Sequence, residues 1–311
     1  MVSVHELISI SEAILSGRER KRGRKRACAE ESFVALFKVT PFVAMEVWEH
    51  LQEHTNIPWQ IKPKHFLWTL FFLKHCMTER SAAVLLGCDR KTYRYYIWCV
   101  IDYVALLKDK VILWENRLES SAAAKVSVDG TDFRTVEYYP FDPWRCSHKF
   151  KCAALRYEVA IAIKTGFIVH VKGPFKAGTW TDKKIVKLEL HGKLAPGEYY
   201  LADGGYTNKN APVITKNTIP QHERAKMNAI MARHETINGR FKDWQILENR
   251  FRHGEHRHRG VFTAIAVITQ VEIETGMHVF GVSKHNIWYC FIKMIHIKEY
   301  NSKIKYSALK Y

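Results

Sequence analysis

The spacing of apolar residues changes close to residue 120 of this 311-residue chain, and this change limits the folds that the chain can adopt. Between about 30 and 118 apolar residues recur at helical spacing, as in FLWTLFFLKHCM at 66–77. From about 124 they form short β-rich runs, as in VSVDGTDF at 126–133. We therefore expect a helical part followed by a part that contains a sheet.

The elements expected beyond residue 120 favour one central sheet with helices on both faces. Strands are predicted at 126–133, 155–164 and 167–173, the last two joined by a Lys-Thr-Gly turn at 164–166. A helix over 183–190, a short strand over 199–205, a helix from Pro220 to about Leu247 and a helix over 261–274 follow. The predicted fold class is α/β, with a mixed sheet flanked by helices.

Residues 79–107 predict a short helix, a turn with Gly87 and a second helix that Asp89 can cap. This order is the helix-turn-helix pattern. The first turn of the second helix carries side chains that can reach phosphates and base edges in a major groove, namely Arg90, Lys91, Thr92 and Arg94. An ordinary helical hairpin is the alternative interpretation.

The chain has 48 Lys and Arg against 31 Asp and Glu, a formal charge of +17, which favours a polyanionic partner. The positive charge is concentrated in five segments with net charges between +5 and +8, at 18–26, 60–110, 145–187, 224–260 and 284–310. The run RERKRGRKR at 18–26 predicts a flexible basic arm, a nuclear import signal, or both. We therefore expect a nuclear protein if the source is eukaryotic and a cytoplasmic one otherwise.

The seven cysteines include no pair separated by two residues, which favours a reducing compartment and argues against a zinc ribbon.

No apolar run reaches the roughly 18 residues of a membrane span. The first residues, MVSVHELISI, carry an acid where a signal peptide has basic residues. We expect neither secretion nor membrane insertion.

Two carboxylates, Asp129 and Asp203, stand at the expected ends of apolar strands, and glycine follows each. Such acids are well placed for a hard cation with oxygen ligands, although Asp-Gly is also a common turn dipeptide. A third acid, Glu235, falls on the helical face opposite the apolar residues. Small Ala232 and Gly239 on its face would let that face approach the sheet edge, whereas a solvated acid is the alternative.

The three acids stand in three blocks of sequence, DGTD at 129–132, LADGGY at 201–206 and R-x-E-x-x-x-G-R-x-K at 233–242. These blocks resemble the catalytic blocks of DDE transposases of the PIF/Harbinger-like group, which is related to some bacterial insertion-sequence enzymes. The segment GTWTDKKI at 178–185 is similar to a further block of the family at Gly178 and Asp182. The resemblance covers roughly residues 60 to 282, with the blocks in the family's order.

This resemblance implies a ribonuclease H-like catalytic core preceded by an all-α helix-turn-helix domain. Asp129, Asp203 and Glu235 would be the catalytic residues and would hold two Mg²⁺ or Mn²⁺ ions about 3.5–4 Å apart. The implied reaction is metal-dependent cleavage of DNA at transposon ends, followed by transfer of the freed 3′-hydroxyl to target DNA. The implied partners are transposon terminal repeats, target DNA, a second copy of the chain in a homo-oligomer and an accessory DNA-binding protein.

The expected division of the chain is a basic arm at 1–29, a helical DNA-binding domain at 30–118, a catalytic domain at 119–283 and a basic tail at 284–311. Two alternatives to a transposase stay open. One is a non-catalytic, transposase-derived DNA-binding protein, and the other is a stand-alone nuclease of the same fold.

Four further cations are expected to contact DNA phosphates, namely Arg240, Lys242, Arg252 and Arg257. His253, His256 and His258 accompany two of them, so a zinc site is an alternative to DNA contact for that segment. Asp132, three residues after Asp129, is expected on the opposite face of its strand in a structural role. Glu223 is a possible third acid, but a position at a helix start already accounts for it.

Overall fold

A computed structural model describes residues 2–15, 26–120, 122–207 and 211–279. The predicted basic tail at 284–311 lies outside these residues, as does the basic run at 18–26 apart from Arg26. Over the described ranges, no helix combines the length and the apolar character that crossing a membrane requires. The five cysteines described with their side chains are free thiols, namely Cys76, Cys88, Cys99, Cys146 and Cys152.

The first part of the described chain is helical, as its apolar spacing predicts. Its helices are α1 (Val4–Leu15), α2 (Arg26–Phe37), α3 (Pro41–His54), α4 (Pro63–His75), α5 (Glu79–Leu85), α6 (Arg90–Leu106) and α7 (Lys108–Val111). The expected cap of α6 is present, since the Asp89 carboxylate accepts the backbone N–H groups of Lys91 and Thr92 at 2.8 and 3.1 Å. The short helix, turn and second helix therefore have the predicted order.

The second part forms a five-stranded mixed sheet with helices on both faces. The strands are β1 (Ala124–Arg134), β2 (Ala154–Ala162), β3 (Ile168–Lys176), β4 (Tyr199–Leu201) and β5 (Val213–Ile214). Their order is β3-β2-β1-β4-β5, with β1, β2 and β3 antiparallel and with β4 and β5 parallel to β1. The helices are α8 (Asp182–Glu189), α9 (Arg224–Lys242), α10 (Gln245–Glu248) and α11 (Glu255–Glu274). This arrangement is consistent with a ribonuclease H-like DDE domain.

Short 3₁₀ turns connect several of these elements, at Trp114–Glu119, Pro143–Arg145, His191–Lys193, Gly204–Tyr206, Lys216–Thr218 and Gln221–Glu223. The turn at Gly204–Tyr206 follows β4 directly and contains the two glycines of the LADGGY block.

Alternation along β1 sends its side chains into two different cores. Val126 and Val128 pack with Val186 and Leu190 of the α8 region on one face. On the other face, Phe133 belongs to the core that contains α11 and the end of α9, and its ring centroid lies 5.4 Å from that of Phe262. Because successive strand residues point to opposite faces, the sheet separates α8 from α9 and α11.

The helical part and the sheet share their largest core. Buried residues of α3, α4 and α6 belong to the same cluster as residues of β2, β3 and α11. A buried ion pair between Lys38 and Glu272, at 3.0 Å, joins the turn before α3 to the end of α11. Buried apolar contact and this ion pair fix the helical part against the sheet.

Two of the predicted element boundaries differ from those observed. The strand expected over 199–205 ends at Leu201, because the Asp203 carboxylate caps the following turn by accepting the Gly205 N–H at 2.7 Å. The helix expected from 261 begins at Glu255, after Gly254 with φ of 81°. Its charged first turns have no apolar periodicity, and contacts with the core hold them: Arg257 lies over the Trp98 ring and His258 is buried against Tyr157.

Candidate functional site

Asp129 lies in the middle of β1, which corrects the expectation of an acid at a strand end. The strand continues to Arg134, and Asp129 is paired with Val159 of β2. The Asp-Gly turn interpretation is therefore wrong at this position. One carboxylate oxygen, Oδ1, accepts the N–H of Gly130 at 2.9 Å, which fixes the orientation of a half-buried side chain.

Asp203 follows β4, the parallel neighbour of β1, at a matching register. Ser127 of β1 is paired with Leu201 of β4, so Asp129 and Asp203 each come two residues after a paired position. Parallel strands run in the same direction, and this equal offset brings the two acids to the same side of the sheet edge. Asp203 is exposed, and its bond to Gly205 gives it a turn-capping role as well.

Glu235 is brought to this edge by two buried neighbours on α9. The ring of His234 makes a 3.0 Å hydrogen bond with the Ser127 hydroxyl of β1, and Arg233 donates to the carbonyl of Ile163 at 2.6 Å. Ile230, Ile237 and Phe241 form the buried stripe of the helix, whereas Glu235 is exposed on the opposite side. The helix therefore packs on β1 and leaves the Glu235 carboxylate in solvent.

The expected close packing around Glu235 is wrong. Ala232 and Gly239 are exposed, and no atom lies within 4 Å of a Cβ placed at Gly239. Their small size is not used for packing, because the opposite, apolar face of α9 already binds the helix to the protein core, and the Glu235 face stays open.

The carboxylates influence one another electrostatically. The pKa of Asp129 is raised to about 7, mainly by burial and also by the negative charges of Asp203, Asp182 and Glu235, against the effect of the Gly130 N–H. This mutual repulsion identifies a place where positive charge is favourable. Carboxylate oxygens are the ligands that Mg²⁺ and Mn²⁺ prefer, so the donor set fits such ions.

The three acids do not converge on a single point. Within the described ranges, the only group of three His, Cys, Asp or Glu side chains with ligand atoms all within 4.8 Å of one another is His50, Glu53 and His54 on α3. Asp129, Asp203 and Glu235 are therefore spread more widely than one shared ion requires. Two ions about 3.5–4 Å apart do not require every acid to reach the same ion, so the wider spacing is compatible with a two-ion site.

A fourth acid, Asp182, lies beside this group and was not among the predicted site residues. It begins α8, and its carboxylate occupies the space where a side chain at position 130 would project. Burial raises the pKa of Asp182, Arg156 opposes the rise, and the charges of Asp132 and Asp203 add to it. The sequence signal was the GTWTDKKI segment, in which an acid begins a helix after a strand.

Asp132 has the structural role that was expected of it. It is buried, receives two hydrogen bonds from Arg156 at 2.7 and 3.0 Å, and accepts the Ser147 hydroxyl at 2.6 Å. Glu223 is also buried and lies directly before α9.

The predicted DNA-contacting residues fall in three places. Arg90, Lys91, Thr92 and Arg94 are exposed in the first turns of α6, and Arg94 is paired with Glu79 at 2.5 Å. At the end of α9, Arg240 donates to the carbonyl of His278 at 3.4 Å and Lys242 lies over the Phe150 ring. Arg252 and Arg257 contact the helical part, through the Cys76 carbonyl at 3.3 Å and the Trp98 ring at 4.1 Å.

The three histidines near these arginines do not form a zinc site. His258 is fully buried with its Nδ1 2.8 Å from the Tyr157 hydroxyl, whereas His256 is exposed. His253 packs against the rings of Phe72 and Trp98. Burial lowers the pKa of His258 to about 3, so this ring is neutral, and a fully buried ring is not free to contact DNA.

Comparison with known proteins adds one finding. No curated protein and no solved structure matches the chain. Residues 142–270 match the family described as DDE superfamily endonuclease. The matched range begins after Asp129 and includes Asp182, Asp203 and Glu235. The match supports a nuclease or transposase domain of the DDE type in this part of the chain.

Proposed function

We propose that this chain is a metal-dependent DNA endonuclease and strand transferase of the PIF/Harbinger-like transposase type. The observation that carries the proposal is the matching register of Asp129 and Asp203 on parallel neighbouring strands, beside a helix that presents Glu235. The family match over 142–270 supports the nuclease or transposase class. The all-carboxylate donor set supports hard divalent cations as cofactors.

Asp129, Asp203 and Glu235 are the residues proposed to hold two Mg²⁺ or Mn²⁺ ions. When bound, such ions activate a water molecule for attack on phosphorus and stabilise the leaving 3′ oxygen. The chain orients two of the carboxylates through backbone N–H groups, from Gly130 to Asp129 and from Gly205 to Asp203. Glu235 approaches from a different element and so completes the set from the solvent side.

Basic side chains of α6 and α9 are proposed to hold the DNA. The exposed first turns of α6 offer Arg90, Lys91, Thr92 and Arg94, and the end of α9 offers Arg240 and Lys242. Arg252 and Arg257 are retained as secondary DNA contacts, since each already contacts the helical part. Residues 30–118 are the proposed DNA-binding domain and residues 119–283 the proposed catalytic domain.

The partners and the location belong to the same proposal. The protein acts on transposon ends and target DNA as a homo-oligomer, with an accessory DNA-binding protein, and the run at 18–26 directs it to the nucleus of a eukaryotic cell. A reporter protein fused to residues 18–26 tests the import signal. Nuclear accumulation supports it, and an even distribution contradicts it.

DNA cleavage is the experiment that tests the catalytic proposal. The purified chain is incubated with Mg²⁺ or Mn²⁺ and DNA that carries transposon ends, beside the Asp129→Ala and Glu235→Ala variants and an Asp109→Asn control at an exposed acid of α7. We expect cleavage and strand transfer by the wild type and the control, and neither by the two alanine variants. Binding without cleavage would indicate a non-catalytic protein, and cleavage without transfer a plain nuclease.

A further inference from the structure

The space beside Asp129 on the α8 side of the sheet is kept open for a carboxylate. A Cβ at Gly130 would collide with Oδ1 of Asp182 and would lie 3.2 Å from its Cγ. The absence of a side chain at this position in β1 is therefore what lets Asp182 reach the backbone next to Asp129. A substitution at Gly130 would displace the Asp182 carboxylate.

Asp182 is held in this position by an arginine whose charge is already balanced. Arg156 of β2 lies 3.1 Å from Oδ1 of Asp182 and donates to the carbonyl of Trp180, also at 3.1 Å. Its other donors form the two hydrogen bonds with buried Asp132. Because Asp132 balances the charge of Arg156, the three side chains together keep one negative charge, and the Asp182 carboxylate is near enough to Asp129 to raise its pKa.

A buried hydroxyl next to Asp182 lacks a hydrogen-bond partner in the part of the chain that the structure describes. Tyr206 is buried, its hydroxyl lies 3.6 Å from a Cβ placed at Gly130, and it makes no hydrogen bond with the described residues. Buried hydroxyl groups normally have a hydrogen-bond partner, so a buried hydroxyl without one in the protein indicates that a water molecule or a ligand group binds there. This hydroxyl and the Asp182 carboxylate both face the space beside Gly130.

We propose that Asp182 is a fourth carboxylate of the cation site. Arg156, itself paired with Asp132, fixes its position, and the lack of a side chain at Gly130 leaves room for it. The proposal rests on the proposed function, since it assigns a role toward the same divalent cations. Three carboxylates leave one positive charge of two dications unbalanced, and Asp182 supplies the fourth negative charge. A water of the cations' hydration shell is the partner that suits the Tyr206 hydroxyl.

A purely structural role is the competing interpretation, because an acid in the first turn of a helix and next to an arginine stabilises both. Cation affinity separates the two roles. We would titrate the full chain with Mn²⁺ in the absence of DNA and follow the free ion by electron paramagnetic resonance. The variants are Asp182→Asn and, as a matched control, Asp142→Asn, an acid that caps a short turn and is paired with Arg145 at 3.0 Å.

We expect Asp182→Asn to weaken Mn²⁺ binding at least tenfold and Asp142→Asn to leave it within twofold of the wild type. The melting temperature without metal should not fall in Asp182→Asn, whereas added Mn²⁺ should raise it less than in the wild type. Asp182→Glu, which keeps the charge, should recover part of the affinity.

Two results would overturn the inference. If Asp182→Asn binds Mn²⁺ like the wild type while Asp129→Asn does not, the proposed site stands and the role of Asp182 is structural. If the wild type itself does not bind Mn²⁺, the proposed function and the inference fail together.

Discussion

His234 of α9 and Ser127 of β1 share a 3.0 Å hydrogen bond inside the protein core. His234 precedes Glu235, and Ser127 lies two residues before Asp129, so this bond joins the two elements that carry these acids. Burial lowers the pKa of His234 to about 3, and the ring is therefore neutral. The contact is a buried polar link without a charge.

We expect His234→Ala to lower the free energy of unfolding by about 2–4 kcal/mol, because it removes a buried ring together with the ring's hydrogen bond to the Ser127 hydroxyl. Urea denaturation followed by circular dichroism measures the change. His256→Ala, at an exposed position of α11, serves as the control and should stay within about 0.5 kcal/mol of the wild type. Equal stability of the two variants would show that the link does not hold α9 to β1.

Glu158 should make the protein less stable at alkaline pH. This side chain of β2 is buried, neither carboxylate oxygen has a hydrogen-bond partner among the described residues, and burial raises its pKa to about 8. Because the unfolded chain ionises Glu158 near pH 4.5, the folded state binds more protons between pH 4.5 and 8. This group therefore lowers stability progressively as the pH rises through that range, and its effect is complete above pH 8.

The variant Glu158→Gln removes this titration while it keeps the size of the side chain. We expect it to be about 1–3 kcal/mol more stable than the wild type at pH 9 and to differ little from it near pH 4.5. Denaturation at a series of pH values measures the difference. A constant difference across the series would mean that Glu158 does not ionise in this range.

Lys91 in the first turn of α6 tests the proposed DNA surface. It is exposed, and a phosphate contact predicts that Lys91→Ala weakens DNA binding several-fold on any sequence and reduces the slope of log affinity against log salt by about one. Fluorescence anisotropy at several KCl concentrations measures both effects. Lys110→Ala on α7 removes the same charge from another exposed position. If the two variants lose the same affinity, only the net charge matters and α6 is not a specific contact.

Local signals predicted many of the elements. The alternating strands β2 and β3 with their Lys-Thr-Gly turn, the capping Asp89 before α6 and the apolar stripe of α9 each depend on neighbours within a few residues. The sequence also indicated Asp129, Asp203 and Glu235 as one candidate group. Their relative placement depends on the pairing of β1 with β4, which no local pattern specifies.

Features that depend on tertiary contacts were not predictable. The two-residue strand β5 is too short for any periodicity, and the start of α11 depends on Arg257 and His258 meeting the core. The position of Asp182 depends on Arg156, which lies on a different strand, and on the absence of a side chain at Gly130. Each of these three features depends on residues that are distant in the sequence and come together only in the folded protein.

Iron-mediated cleavage of the polypeptide tests the central claim most directly. Fe²⁺ replaces Mg²⁺ in carboxylate sites, and with ascorbate and peroxide it cuts the backbone next to the place where it binds. We expect fragments with ends near Asp129, Asp203 and Glu235, suppressed by excess Mg²⁺ and lost in Asp129→Asn. Cuts that avoid these three positions, or that persist unchanged in Asp129→Asn, would contradict a cation site built by these acids.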